Sequence, residues 1–177
     1  LSWVADAEPL PPLPEGSAVT THKQLKTEVP QGYTAIRTPA DFMKIAENPS
    51  GKYILMNNIS LEQVKLAEGQ TSYIMKRFEG ELDGNNQVIH GLRASLFDSI
   101  SGTSSKKAVV KNLRVQNVFV NAGYKDIFDW QGKPVLAEAN GLAREVSNGR
   151  LETIYMNCVK LNGGGNTGAL GGLVNET

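Results

Sequence analysis

Histidine and cysteine, which often carry metal, nucleophilic or acid–base chemistry, are sparse in this 177-residue chain. Its two histidines, His22 and His90, lie far apart and lack the i, i+4 spacing that presents two imidazoles on one helix face to zinc. The single cysteine, Cys158, has no internal partner for a disulfide and reads as a small residue at a bend. Gly163-Gly164-Gly165 lacks the lysine and following helix of a phosphate-binding loop, so it reads as a turn. Asp83, Asp98, Asp126 and Asp129 are the carboxylates to check for glycan cleavage, which needs two acids facing one groove. Asp83 is accounted for by the turn Asp83-Gly84-Asn85-Asn86, Asp98 precedes a bend, and no pattern brings two of them together. The richest cluster is instead one for binding. Tyr124, Phe128 and Trp130 stand among Lys125, Asp126 and Asp129, the aromatic-and-charged mixture of a contact surface. Tyr124, Lys125, Phe128 and Trp130 are the candidate contact residues; the alternative is that the aromatics fold back as a lid.

The elements that would position this cluster follow from an internal repeat. Val110-Lys111-Asn112-Leu113-Arg114-Val115-Gln116-Asn117-Val118-Phe119-Val120 returns 41 positions later as Leu151-Glu152-Thr153-Ile154-Tyr155-Met156-Asn157-Cys158-Val159-Lys160-Leu161. Apolar residues coincide at the first, fourth, sixth, ninth and eleventh places. Leu113 and Val115 are two apart, as on one face of a strand. Three positions separate Val115 from Val118, so Gln116-Asn117 marks a corner, where asparagine tolerates left-handed backbone. A weaker copy, Ile89-His90-Gly91-Leu92-Arg93, aligns with Val110–Arg114 at an offset of 21. This alignment places His90 at the outward position of Lys111. A second element recurs as Ser95–Gly102, Gly141–Gly149 and Gly172–Thr177.

Strand-corner-strand units repeated in this way predict a mainly β fold, a right-handed parallel β-helix in which Val110 lies over Leu151 and Leu113 over Ile154. Two chance-similar strands in a β-sandwich are the bland alternative. The difference between the two offsets predicts about twenty extra residues near Asn121–Asn140, which holds the aromatic cluster. Solenoid insertions commonly form loops on one face.

Upstream, Ala7–Gly16 is proline-rich and predicts an extended linker or arm over residues 1–31. Residues 32–177 form the expected β-helix domain. Tyr33–Arg37 and Lys52–Met56 read as strands. Between them, Thr38 suits a helix cap, Pro39 the first helical position and Asp41 the first turn. Phe42, Ile45 and Ala46 make an apolar stripe, and Asn48–Gly51 stops the helix. A short helix there would cap one end of the stack. The other end breaks off in mid-repeat, so the natural polypeptide is expected to continue past Thr177; the start at Leu1, without an initiator methionine, also suggests a fragment. Lys+Arg and Asp+Glu are balanced at 18 each, which argues against a nucleic-acid partner. No apolar run reaches the roughly 20 residues of a membrane-spanning helix.

These residues also carry a family resemblance. Gly168–Asn175 is similar to the Gly-Leu-Val repeat called GLUG. Phe78–Asn86, Ile89–Leu92, Leu96–Gly102 and Val110–Leu113 resemble the region upstream of the catalytic domain in streptococcal surface zinc metalloproteases, the immunoglobulin A proteases among them. The resemblance implies an extracellular, cell-surface or cell-wall protein whose zinc would sit in a downstream catalytic domain, with no cofactor held in this piece. It implies a non-catalytic role in positioning substrate or the protease domain. Expected partners are that protease domain and a host immunoglobulin or other glycoprotein. A β-helical stalk or adhesin is the alternative, and a glycan-cleaving enzyme the third.

Overall fold

The structure is a computed structural model and describes Val19 and residues 21–175. The proline-rich run Ala7–Gly16 lies outside them. The elements are β1 (Thr34–Ile36), α1 (Pro39–Met43), a 3-10 turn (Lys44–Glu47), β2 (Lys52–Leu55), β3 (Ile59–Ser60), β4 (Ser72–Ile74), β5 (Glu81–Asp83), β6 (Val88–Leu92), β7 (Ser95–Ser101), β8 (Ala108–Asn121), β9 (Tyr124–Phe128), β10 (Pro134–Leu136), β11 (Ala143–Ser147), β12 (Gly149–Asn162) and β13 (Gly171–Asn175). The protein is mainly β, and all strand pairs but one are parallel.

The repeat is realised in register. Val110 pairs with Leu151, Leu113 with Ile154, Met156 with Val115 and Val118 with Val159. Each long strand turns twice. Asn112 and Asn117 have φ of +52° and +57°, and their counterparts Thr153 and Cys158 both have φ of +53°. The second corner is the one read from Gln116-Asn117. The first carries the same signal, since Val110 and Leu113 are also three apart. Below β8, β5 pairs through Leu82 with Val110, and β6 through Ile89 with Val115. A second sheet runs β13-β11-β7-β4, with Ala143 beside both Phe97 and Gly171. The second recurring element therefore also stacks.

The weak copy aligns differently from the sequence expectation. Ile89 lies beside Val115, not Val110, and Leu92 beside Val118. Asn85 and Asn86 both adopt left-handed backbone at the corner between β5 and β6, so this corner is wider than the one at Asn112. An alignment with fixed spacing cannot accommodate it. Gly84 lies where a Cβ would come within 2.5 Å of Asn112 O and Leu113 Cα, so the adjoining strand leaves room only for hydrogen. His90 consequently lies beside Gln116. It is not a solvated side chain: it is 19% exposed, with Nδ1 3.9 Å from Glu62.

The predicted insertion has the expected size, through two compensating differences. The offset between paired residues rises from 26 at Leu92 and Val118 to 46 at Phe97 and Ala143. Twenty residues are thus added between them. The offset falls back to 41 at Ala108 and Gly149 because the loop after Gly102 is five residues longer than its counterpart.

The apolar rows meet in one core that includes Leu82, Ile89, Val110, Leu113, Val115, Phe97 and Ile100. Thr38 and Asp41 form a reciprocal capping box at the start of α1, with Pro39 at its first turn. Phe42 from this helix is buried and meets Phe97 edge-on at 6.0 Å; Phe78 lies 4.9 Å from the same ring.

Candidate contact surface

The twenty-residue excursion forms an antiparallel hairpin, β9–β10, in which Phe128 pairs with Pro134 and Tyr124 with Leu136. Its root is tied to the parallel stack. Ala122 N donates to Asn162 O (2.8 Å), Ala137 N to Gly123 O (2.8 Å) and Gly164 N to Ala137 O (2.9 Å). On the return path Ala139 N donates to Thr167 Oγ1 (3.1 Å), and the buried Asn140 accepts from Gly168 N (3.2 Å). Anchored ends mean that the hairpin projects from a defined place.

The tip is a built turn. Asp129 Oδ1 accepts from Gln131 N (2.8 Å) and Lys133 N (2.9 Å), and Gly132 supplies the left-handed residue at φ +76°. This turn puts Trp130 at the apex, where it is 91% exposed; Phe128 is 67% and Ile127 54% exposed. Neither Phe128 nor Trp130 folds back as a lid. Lys125 forms a 2.6 Å ion pair with Glu138 near the root. Its hydrogen bond holds the Glu138 carboxyl below the usual range. Lys125 therefore stiffens the hairpin. The side chains of Tyr124 and Asp126 lie outside the described residues. Ile127, which the sequence reading did not single out, extends the apolar tip.

Of the carboxylates singled out by sequence, Asp83, Asp98 and Asp129 are each engaged within the fold. Asp83 is fully buried: Oδ2 meets Lys26 Nζ at 2.6 Å, and Oδ1 accepts from Asn85 N (2.9 Å) and Asn112 Nδ2 (3.2 Å). Burial alone would raise its pKa, but these donors outweigh it and hold the group below the usual carboxylate range. On the same strand, Glu81 pairs with Lys111 at 2.6 Å and accepts from the Tyr33 hydroxyl. Burial again opposes ionisation, and Lys111 and Tyr33 again win, so Glu81 is also held low. Burial, reinforced by Glu81, drives the Tyr33 phenol well above its ordinary value. Asp98 binds Arg144 at 2.9 Å. General-acid chemistry on a glycosidic bond needs a carboxyl kept protonated near neutrality, and Asp83 and Glu81 are shifted the opposite way.

Among the described residues no group of three or more His, Cys, Asp and Glu side chains could hold a metal ion. No helix among the described residues is long and apolar enough to cross a membrane.

Comparison with known proteins completes the picture. Three relatives show the extent of similarity. Immunoglobulin A1 protease of Streptococcus pneumoniae (strain ATCC BAA-255 / R6) is 36% identical over 75 residues, 40% of this chain and 4% of the relative. Immunoglobulin A1 protease of Streptococcus sanguinis is 37% identical over 87 residues, 47% of this chain and 4% of the relative. Zinc metalloprotease ZmpC of Streptococcus pneumoniae serotype 4 is 32% identical over 97 residues, 52% of this chain and 5% of the relative. The matched stretches thus span only 4–5% of these relatives' lengths. No solved structure matches. The model of the M26 IgA1-specific metallo-endopeptidase N-terminal region matches residues 40–154, from the start of α1 into the second copy of the repeat, and the chain belongs to that family.

Proposed function

We propose that this chain is a non-catalytic recognition and scaffold domain of a bacterial surface zinc metalloendopeptidase of the immunoglobulin A protease type. Its parallel ladders are read as turns of a right-handed β-helix, with Gly168–Asn175 as a GLUG-type repeat. The parent would be extracellular, with zinc held in its catalytic domain. The observation that carries the recognition role is the hairpin: its root is bonded to the stack, and its tip holds Ile127, Phe128 and Trp130 out to solvent. A rigid base with an aromatic tip supplies large contact area at little entropic cost. The stack itself supplies distance and orientation, either toward the substrate or toward the protease domain.

The experiment compares this chain with its Phe128→Ala/Trp130→Ala variant for binding to immunoglobulin A1 and to the parent's catalytic domain. At least one of the two should bind the native chain, and the variant should lose about tenfold or more in affinity, since central aromatic anchors commonly contribute 2 kcal/mol or more. Circular dichroism and melting should stay unchanged, because neither side chain is in the core. Equal affinity of native chain and variant for both partners overturns the assignment.

A further inference from the structure

Residues 22–26 approach the corner between β5 and β6 and are held there almost entirely by side chains of that corner. Lys26 N donates to Asn85 Oδ1 (2.7 Å) while Asn85 Nδ2 donates to Lys26 O (2.9 Å). The amide side chain thus pairs with the peptide group as a neighbouring strand would. Asn86 Nδ2 donates to Lys23 O (2.9 Å) and Gln87 Nε2 to His22 O (3.2 Å). Three consecutive side-chain amides therefore grip one stretch of main chain. Gln24 returns a bond to Met56 O. Lys26 Nζ reaches into the corner to the fully buried Asp83, 2.6 Å away, while the rest of its side chain stays partly exposed.

Neither β5 nor β6 has this segment as a ladder neighbour; β5 lies between β2 and β8, and β6 between β3 and β8. The corner's own geometry makes the grip possible. Asn85 and Asn86 have left-handed backbone, φ +53° and +62°, and with Gln87 present their side chains to residues 22–26, while Gly84 lets the corner sit against Asn112. Most of the contacts read main chain and are indifferent to sequence. The buried carboxylate is the exception, because an uncompensated charge there is costly and an ammonium at that position relieves it.

We infer that the Asn85-Asn86-Gln87 corner is a docking site for an extended peptide bearing a lysine, occupied in cis by residues 22–26 as a detachable strap. Since it is held by side chains and not by the ladders, the strap can release while the stack stays folded.

Hydrogen exchange on the native chain tests docking directly. The Lys26 amide should exchange at least about tenfold more slowly than in a free peptide, as expected for a donor in a closed local unit. Trypsin should cut after Lys23 more slowly than after Lys106 and Lys107, which lie in an exposed loop. Lys26→Met should speed cleavage after Lys23 about tenfold, because loss of a charge-assisted bond raises the open population. Gln87→Ala should do the same without touching the buried pair. In Gln87→Ala, which leaves the buried pair intact, exchange in β5, β6 and β8 should be unchanged. Free-peptide exchange at Lys26 in the native chain overturns docking, and unchanged cleavage in both variants overturns the role of the corner. Parallel loss of protection in β5 and β8 in Gln87→Ala would show the segment to be an integral part of the stack and overturn detachability.

Discussion

Thr153 should be a weak point whose repair is written in the strand beside it. It is an exposed β-branched residue at φ +53°, and its register position matches Asn112 at φ +52°. Left-handed backbone costs an ordinary L-residue about 1–2 kcal/mol, and asparagine recovers part of this through local hydrogen bonding. Thr153→Asn should therefore stabilise the chain by about 0.5–1 kcal/mol. Thr153→Gly removes the whole strain but gives back about 0.5–1 kcal/mol in chain entropy, and should land in the same range. For a domain of this size, either change should raise the melting temperature by about 1–4 °C. The reciprocal Asn112→Thr should cost more than Thr153→Asn gains. Asn112 also donates to the buried Asp83 at 3.2 Å, so loss of a hydrogen bond adds about 1 kcal/mol to the backbone term. Urea melts at fixed pH give the comparison, with an unchanged slope showing that the unfolding transition is the same one. If Thr153→Asn and Thr153→Gly both destabilise, the corner is not left-handed there, and the corner-by-corner equivalence of the two repeats fails with it.

Two further outcomes follow from burial. Leu113 is fully buried whereas its partner Ile154 is only partly so; Leu113→Ala should cost about 3–5 kcal/mol and Ile154→Ala about 1–2 kcal/mol, read from the same urea midpoints. Equal costs would mean that the two rows are packed alike. His90 is held below its usual pKa of 6.5 by burial, which outweighs the attraction of Glu62. The unfolded chain then binds the proton more readily, so stability falls as pH drops through about 6.5 toward the lower folded value and is recovered above it. The carboxylates Glu81 and Asp83 are shifted down from 4.5 and 3.8, so their contributions are present above those values and are lost only in more acid solution. Melting between pH 5 and 7 should therefore show a rise that His90→Gln flattens; a slope that survives the substitution would locate the titrating group elsewhere.

The stacking of β8 on β12 was legible because it is written twice. Apolar side chains at matching places bury the same face, and only an in-register parallel pairing keeps Val110 with Leu151 and Val120 with Leu161. The cap of α1 was legible because Thr38, Pro39 and Asp41 act within one turn of chain. The register of Ile89 was not. It depends on how wide the Asn85-Asn86 corner is, and the apolar pattern Ile-x-x-Leu fits equally well beside Val110 or beside Val115. The docking of residues 22–26 was invisible for a similar reason. It rests on side-chain amides meeting main chain about 60 positions away, and main-chain partners carry no residue signature.

The hairpin shows where sequence reading of a site stops. Its location and length came from a difference between repeat offsets, which is a statement about connectivity. Exposure of its aromatics depends on the turn at its tip, where Asp129 and Gly132 were present in the sequence but their hydrogen-bond partners, Gln131 N and Lys133 N, are defined only once the strands pair. Lys125, a candidate contact residue by type, also pairs with Glu138 thirteen positions later, a partner that only the folded hairpin brings near. The apolar tip is different, because Phe128 and Trp130 lie beyond the stack and the core gains nothing from them. Exposed aromatics on a stiffened hairpin are costly to keep in water and add little to folding, so the contact they make is to be sought outside this chain's own core.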